Sequence, residues 1–219
     1  MTIKWEKLLN ARAVILFLLA VSLSSVALAG PQTVTDSIKG TLDKIIEVLN
    51  DRSLKAPDRE SERRSILSKL VKERFDEEEF SRRALGAVWR ERSNEEKKEF
   101  IDVFSGLLER TYLDKIDAYL AKAGSFSGNN IRYLNEKAKG KYVIVTTKII
   151  TSGNAEIPVL YLFKKNQGDW LVCDVAIEGV SIAKNYRAQF KEILANSSFA
   201  ELITKLKSKK EKASIGKKK

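Results

Sequence analysis

Histidine is absent from this 219-residue chain, and cysteine occurs once, at position 173. Without an imidazole, every mechanism that needs a histidine base is excluded. A lone cysteine excludes a disulfide framework within the chain, and with no histidine it also excludes a Cys/His zinc site. Cys173 stands in the apolar run Trp170-Leu171-Val172-Cys173, where it reads as a small buried hydrophobe. A glycine-rich phosphate loop and a Gly-x-Ser-x-Gly elbow are missing too. The apolar run from Ala13 to Leu23, broken only by Ser22, is shorter than the roughly 20 residues a membrane-spanning helix needs.

What is abundant is lysine, and it is unevenly placed. The formal charge is +11. In residues 1–29, Lys4, Lys7 and Arg12 against Glu6 account for +2 of it. In residues 205–219, eight lysines against Glu211 account for +7, which leaves +2 for the body between. A near-neutral body does not read as a nucleic-acid-binding face. The N-terminal segment has the three parts of a secretory signal: a basic start, the apolar run, and the small-x-small site Ala27-Leu28-Ala29. Cleavage is expected after Ala29, and export into a periplasm follows. Residues 207–219 read as a lysine-rich disordered tail, with contact to anionic headgroups or an acidic partner as its functional alternative.

Between these ends the chain is first helical, then stranded. Val34, Ile38, Leu42, Ile45, Ile46 and Leu49 make one apolar face of a helix over about 30–51. A second helix starts near Pro57 and carries Ile66, Leu67, Leu70, Val71 and Phe75. Asp76 caps a third, with Phe80, Ala84, Leu85, Val88 and Trp89 as its face. Ser93 and Glu96 have the spacing of a capping box. They open the longest helix, whose apolar face runs through Phe104, Leu108 and Tyr112 to Ile116, Tyr119 and Leu120 before a loop at Gly124 to Asn130.

The period then changes. Tyr142 to Thr151, Ile157 to Phe163 and Trp170 to Ile177 are dense in β-branched and aromatic residues, with turn-like connections between them. Asn130 to Asn135 is a weaker first strand. The fold class expected is α+β: a helical N-terminal half packed on a curved antiparallel sheet of about four strands, closed by helices over about 181–195 and 199–207. The strands are apolar on both alternations, which leaves room for a cavity. Asp174 and Glu178 share a strand face if the strand runs through both, so they form a candidate carboxylate pair, with Arg187 as a partner. Caps and ion pairs are the more ordinary use of such acids.

Leu85-Gly86-Ala87-Val88-Trp89-Arg90, then Phe100, Phe104, Leu107-Leu108 and Thr111-Tyr112, resemble the MlaC family, also described as the toluene-tolerance auxiliary component of an ABC transport system. Ile157-Pro158-Val159, the run Trp170 to Ile182 and Asn185-Tyr186-Arg187-Ala188-Gln189-Phe190 are similar to its second half. The resemblance spans about residues 34–206. It departs at Cys173, where an aromatic is usual, and in the lysine tail.

The resemblance implies a phospholipid-binding domain over residues 30–206 with an NTF2-like part, no cofactor and no catalysis. It implies shuttling of one diacyl lipid between an outer-membrane lipoprotein complex and an MCE-domain protein of an inner-membrane ABC transporter, in the service of outer-membrane lipid asymmetry. Candidate lining residues are Phe104, Leu108 and Tyr112 on one helical stripe, and Val143, Val145, Val159 and Tyr161 from the sheet. Three alternatives stand beside this reading: an NTF2-like isomerase or hydratase using Asp174 or Glu178 as base, a carrier of a hopanoid or sterol-like lipid, and a pure adaptor with no cavity.

Overall fold

Side-chain caps set most of the helix starts. Thr33 and Asp36 form a reciprocal capping box, Asp36 N donating to Thr33 Oγ1 at 3.1 Å and Thr33 N to Asp36 Oδ2 at 3.1 Å. They open α1, Val34–Asn50. The computed structural model describes residues 33–123, 131–150 and 155–215. The expected signal segment 1–29, the expected loop at 124–130 and the turn expected at Ser152-Gly153-Asn154 lie outside them, as do the side chains of Ile116, Tyr119 and Leu120.

Two short 3-10 turns lead into α2, Glu60–Lys72. Asp76 caps α3, Glu77–Leu85, by accepting from Glu79 N at 2.8 Å. Ser93 and Glu96 open α4, Asn94–Ala123, with both capping-box hydrogen bonds present. The face expected to run unbroken from Phe80 to Trp89 is interrupted. α3 stops at Leu85, and the chain turns through Gly86 at φ +65° into a 3-10 helix, Gly86–Glu91. Gly86 also lies against Arg187, where a Cβ would come within 3.1 Å of Nε.

The sheet is an antiparallel meander in the order β1-β2-β3-β4-β5, and it has five strands rather than four. β1 is Ile131–Lys139, β2 Tyr142–Ile150, β3 Glu156–Asn166, β4 Asp169–Ile177 and β5 Val180–Ser181. β1 runs past the expected Asn135 because the edge is defined by its pairing to β2, and its residues 135–139, with Glu136, Lys137 and Lys139 among them, are exposed. The extra strand β5 folds back through Glu178 and Gly179, both at positive φ (+51° and +81°), the geometry of a tight hairpin turn. Ser181, the last residue of β5, caps α5, Ile182–Leu194. A Ser198–Glu201 box opens α6, Phe199–Ile215. α6 thus continues beyond the expected end at Lys207. Lysine is a good helix former, and the Lys210 side chain lies along Gly106 of α4.

Two apolar cores result. One holds α1 and the buried alternation of the sheet: Val143, Val145 and Ile149 of β2, Ile157, Val159, Tyr161 and Phe163 of β3. The other alternation, including Ile144, Ile150 and Leu160, is half-buried. The second core gathers α3 to α6 around an aromatic cluster in which Phe104 packs edge-on to Tyr186 and Phe190. Phe75 and Ile182 touch both cores.

Candidate functional site

The seam between the two cores is not filled. A cleft of about 90 Å³ lies there, walled by α2, the Phe75 turn, the start of α3, and α4, with Val175 of β4 and Ile182 at its floor. Helical spacing builds each wall. On α2, Leu67 and Val71 point in while Ser68 and Lys72, one position on, make the edge. On α4, Leu108, Tyr112 and Leu113 point in, and Ser105 and Glu109 make the edge. The interior is therefore hydrocarbon and aromatic, with Phe80 of α3 beside it, and the polar groups stand at the rim.

The rim carries both charges. Lys72 Nζ lies 2.9 Å from Glu109 Oε2. Burial works to raise the Glu109 carboxyl, but hydrogen bonds from Ser68 and Lys72 outweigh it and hold the carboxyl below its usual range. Across the rim Glu77 goes the other way: burial, with Glu109 and Asp102 nearby, raises it despite Lys72. Deeper in, burial raises the Tyr112 hydroxyl, which stays protonated. At the far end a second ionic contact joins α2 to α4. Arg63 meets Asp117 at 2.7 Å, Arg64 meets Asp114 at 2.7 Å, and Arg64 also pairs with Asp117.

Of the residues expected to line a cavity, Leu108 and Tyr112 stand on the cleft wall. Phe104, one turn before Leu108, packs into the aromatic cluster instead. Tyr161 borders a second, smaller cavity of about 30 Å³ beneath α1. Val143, Val145 and Val159 share its sheet face but belong to the first core and border neither of these cavities. The sequence marks Leu67, Val71 and Phe75 only as the apolar stripe of a helix and Val175 only as part of a strand. The signal that marks them is the pairing of Leu67/Val71 with the flanking polar pair Ser68/Lys72, which the helix α4 repeats with Leu108/Tyr112 and Ser105/Glu109.

Asp174 and Glu178 do not converge. Asp174 is buried and engaged: it accepts from Ser181 Oγ at 2.6 Å and Ala183 N at 3.1 Å, and faces Arg83 at 3.3 Å. Its partner is thus Arg83 and not Arg187, which donates to the Arg83 carbonyl at 2.7 Å. Glu178 is exposed in the hairpin turn, because the strand ends at Ile177. Asp174 ties the sheet to the start of α5.

The sequence model of the MlaC protein family matches residues 39–208. A curated relative, the intermembrane phospholipid transport system binding protein MlaC of Haemophilus influenzae, is 26% identical over 129 residues, which is 57% of this chain and 57% of the relative. The fold is similar to that of the phospholipid-binding protein of Ralstonia solanacearum, solved in complex with a phospholipid. The TM-score is 0.67 at 19% identity, over 85% of this chain and 99% of that one. With the family match running through all the described strands and from α1 into α6, the chain belongs to the MlaC protein family.

Proposed function

We propose that this chain is a phospholipid carrier that holds acyl chains in the α2–α4 cleft and leaves the headgroup at the rim. The observation that carries the reading is an apolar cleft with a two-signed polar edge, at the seam of a fold shared with a phospholipid-bound relative. Lys72 offers a cation to the phosphate, and Glu77 and Glu109 offer anions to a zwitterionic headgroup's amine.

A two-chain lipid has about 30 methylenes, so crossing water bare costs on the order of 20 kcal/mol. A protein slot removes that cost without any chemical step. The cleft at about 90 Å³ is smaller than the roughly 150 Å³ of an engineered cavity that binds benzene. Loading therefore requires α2 and α4 to part.

The setting we propose is the periplasm, reached by cleavage after Ala29, with residues 30–206 as the binding domain. Lipid would pass between an outer-membrane lipoprotein complex and an MCE-domain protein of an inner-membrane ABC transporter, and the lysine-rich end offers peripheral contact to anionic headgroups. Among the described residues no helix is long and apolar enough to cross a membrane. Catalysis is no part of the proposal: Asp174 is committed to Ser181, Ala183 and Arg83, and Glu178 is in solvent.

The test is mass spectrometry of the organic extract of protein expressed with its signal segment and purified from the periplasm. About one diacyl phospholipid per chain is expected. Protein that carries no lipid and takes none from vesicles would sink the carrier reading.

A further inference from the structure

The buried stripe of α6 runs through Phe199, Leu202, Ile203 and Leu206. Lys210 stands four positions after Leu206 and continues that stripe with a cation. Its stem crosses α4 at Gly106. A Cβ at Gly106 would collide with Lys210 Nζ and come within 2.9 Å of Cε, so the amine occupies the place a side chain would take. Glycine is a poor residue for a helix interior, and here it leaves a notch in α4 that admits the lysine.

The notch lies beside the mouth of the cleft. Gly106 follows Ser105 of the rim and shares a helical face with Glu109, three positions on, where Cβ positions stand about 5–6 Å apart. The Glu109 carboxylate therefore meets cations from two helices. Lys72 of α2 lies 2.9 Å away, and the charge of Lys210 acts on it from α6. The neighbouring lysines of α6 are engaged elsewhere: Lys205 donates to Ser197 Oγ at 3.0 Å, and Lys207 pairs with Glu99 at 2.6 Å.

We propose that Lys210 and Lys72 together form the site for the phosphate group of a lipid headgroup, with Glu109 holding the two cations in place until the phosphate arrives. This rests on the carrier reading, and it makes the lysine-rich helix α6 part of the mouth. A phosphodiester has the same sign of charge as the carboxylate and offers oxygens to both ammonium groups. Once displaced, the partly exposed Glu109 is free to meet a headgroup amine.

The experiment is a competition. Purified protein with its lysine-rich end intact is mixed with vesicles of dioleoyl phosphatidylglycerol that hold diacylglycerol of the same chains at a tenth of the lipid. After separation from the vesicles, captured lipid is read by native mass spectrometry. Phosphatidylglycerol carries a phosphate without an amine and diacylglycerol lacks the phosphate, so the ratio captured reports the phosphate site whatever happens to the acyl slot. Lys210→Gln should lower that ratio about fivefold, the effect of one cation at a partly exposed site. Gly106→Leu, which fills the notch and keeps the lysine in the chain, should lower it by more than about twofold. Lys207→Gln removes the same charge from the same helix and should leave it unchanged. Where Gly106→Leu lowers the melting temperature sharply, Lys210→Gln decides. A ratio for Lys210→Gln within about twofold of wild type, or an equal fall in Lys207→Gln, overturns the site and leaves the carrier reading standing. Inorganic phosphate alone should not bind at concentrations at which lipid saturates the protein; phosphate binding that Lys210→Gln abolishes would make this a free-anion site and overturn the headgroup assignment. Wild-type protein that captures neither lipid overturns both the site and the carrier reading.

Discussion

Glu79 is the charged hub that pins α3 to the sheet, and lowering the pH should release it. Its side chain is only 4% exposed. It receives Arg82 Nε at 3.0 Å, Lys164 Nζ at 2.8 Å and the Tyr142 hydroxyl at 3.1 Å, and also pairs with Arg82 Nη2. Burial alone would raise the carboxyl, but these hydrogen bonds and the two cations win and hold it at about 2 against an ordinary 4.5. A folded-state value below the unfolded one means the ionised form stabilises the fold above about pH 5, and that contribution drains away as pH falls toward 2. The gap corresponds to roughly 3 kcal/mol. In a domain of this size that is about 6–12 °C in melting temperature. The assay is urea or thermal unfolding of wild type and Glu79→Gln from pH 7 to pH 2.5. The two should differ by about the full amount at pH 7 and draw together as the wild-type carboxyl protonates. A stability difference that stays constant from pH 7 to pH 3 would refute the linkage.

Asp117→Ala should destabilise the fold by about 3–5 kcal/mol, because among the described residues it leaves buried Arg63 with only the Leu54 carbonyl as partner; the urea midpoint reads it, and a loss below about 1 kcal/mol would show that water reaches Arg63. Cys173 has no exposed surface, and burial pushes its thiol up to about 12. A thiol reagent at pH 8 should therefore label it only at the rate of unfolding, so labelling that outpaces unfolding would place Cys173 at a surface.

The helices with a clean 3.6-residue stripe and a cap were readable, since stripe and cap are local. α4 begins right after Ser93 for that reason, whereas α1, whose stripe marks its body, begins at Val34 behind the Thr33 cap and not near residue 30. What was not readable depends on partners distant in sequence. Residues 135–139 have no apolar alternation, and only pairing with β2 makes them strand. Gly86 could have been a mid-helix glycine; its positive φ and the close approach of Arg187, about a hundred positions on, show only in the folded chain. The site shows the same division. The stripe of α4 identified Leu108 and Tyr112, but periodicity marks the inward face of an element and not which inward residues border a void. Phe104 and Val145 face inward as well, and they meet packed neighbours.

The void persists because polar contacts span it at both ends. Two apolar helix faces left to themselves close until they interdigitate. Here α2 is joined to α4 by Arg63 and Arg64 at one end and by Lys72 at the other, with Leu67 and Val71 between. The two ends resist parting unequally. The Lys72 and Glu109 side chains are 53% and 32% exposed, and such a pair contributes at most about 1 kcal/mol. Arg63 and Asp117 are 6% and 13% exposed, and separating a buried pair costs several kcal/mol. Parting α2 from α4 therefore costs least at the Lys72 end, where Ser68, Ser105 and Glu77 also stand. The end that yields most easily is the end to which the carrier proposal assigns the headgroup, and the end that holds is the one that keeps α2 in register while it does.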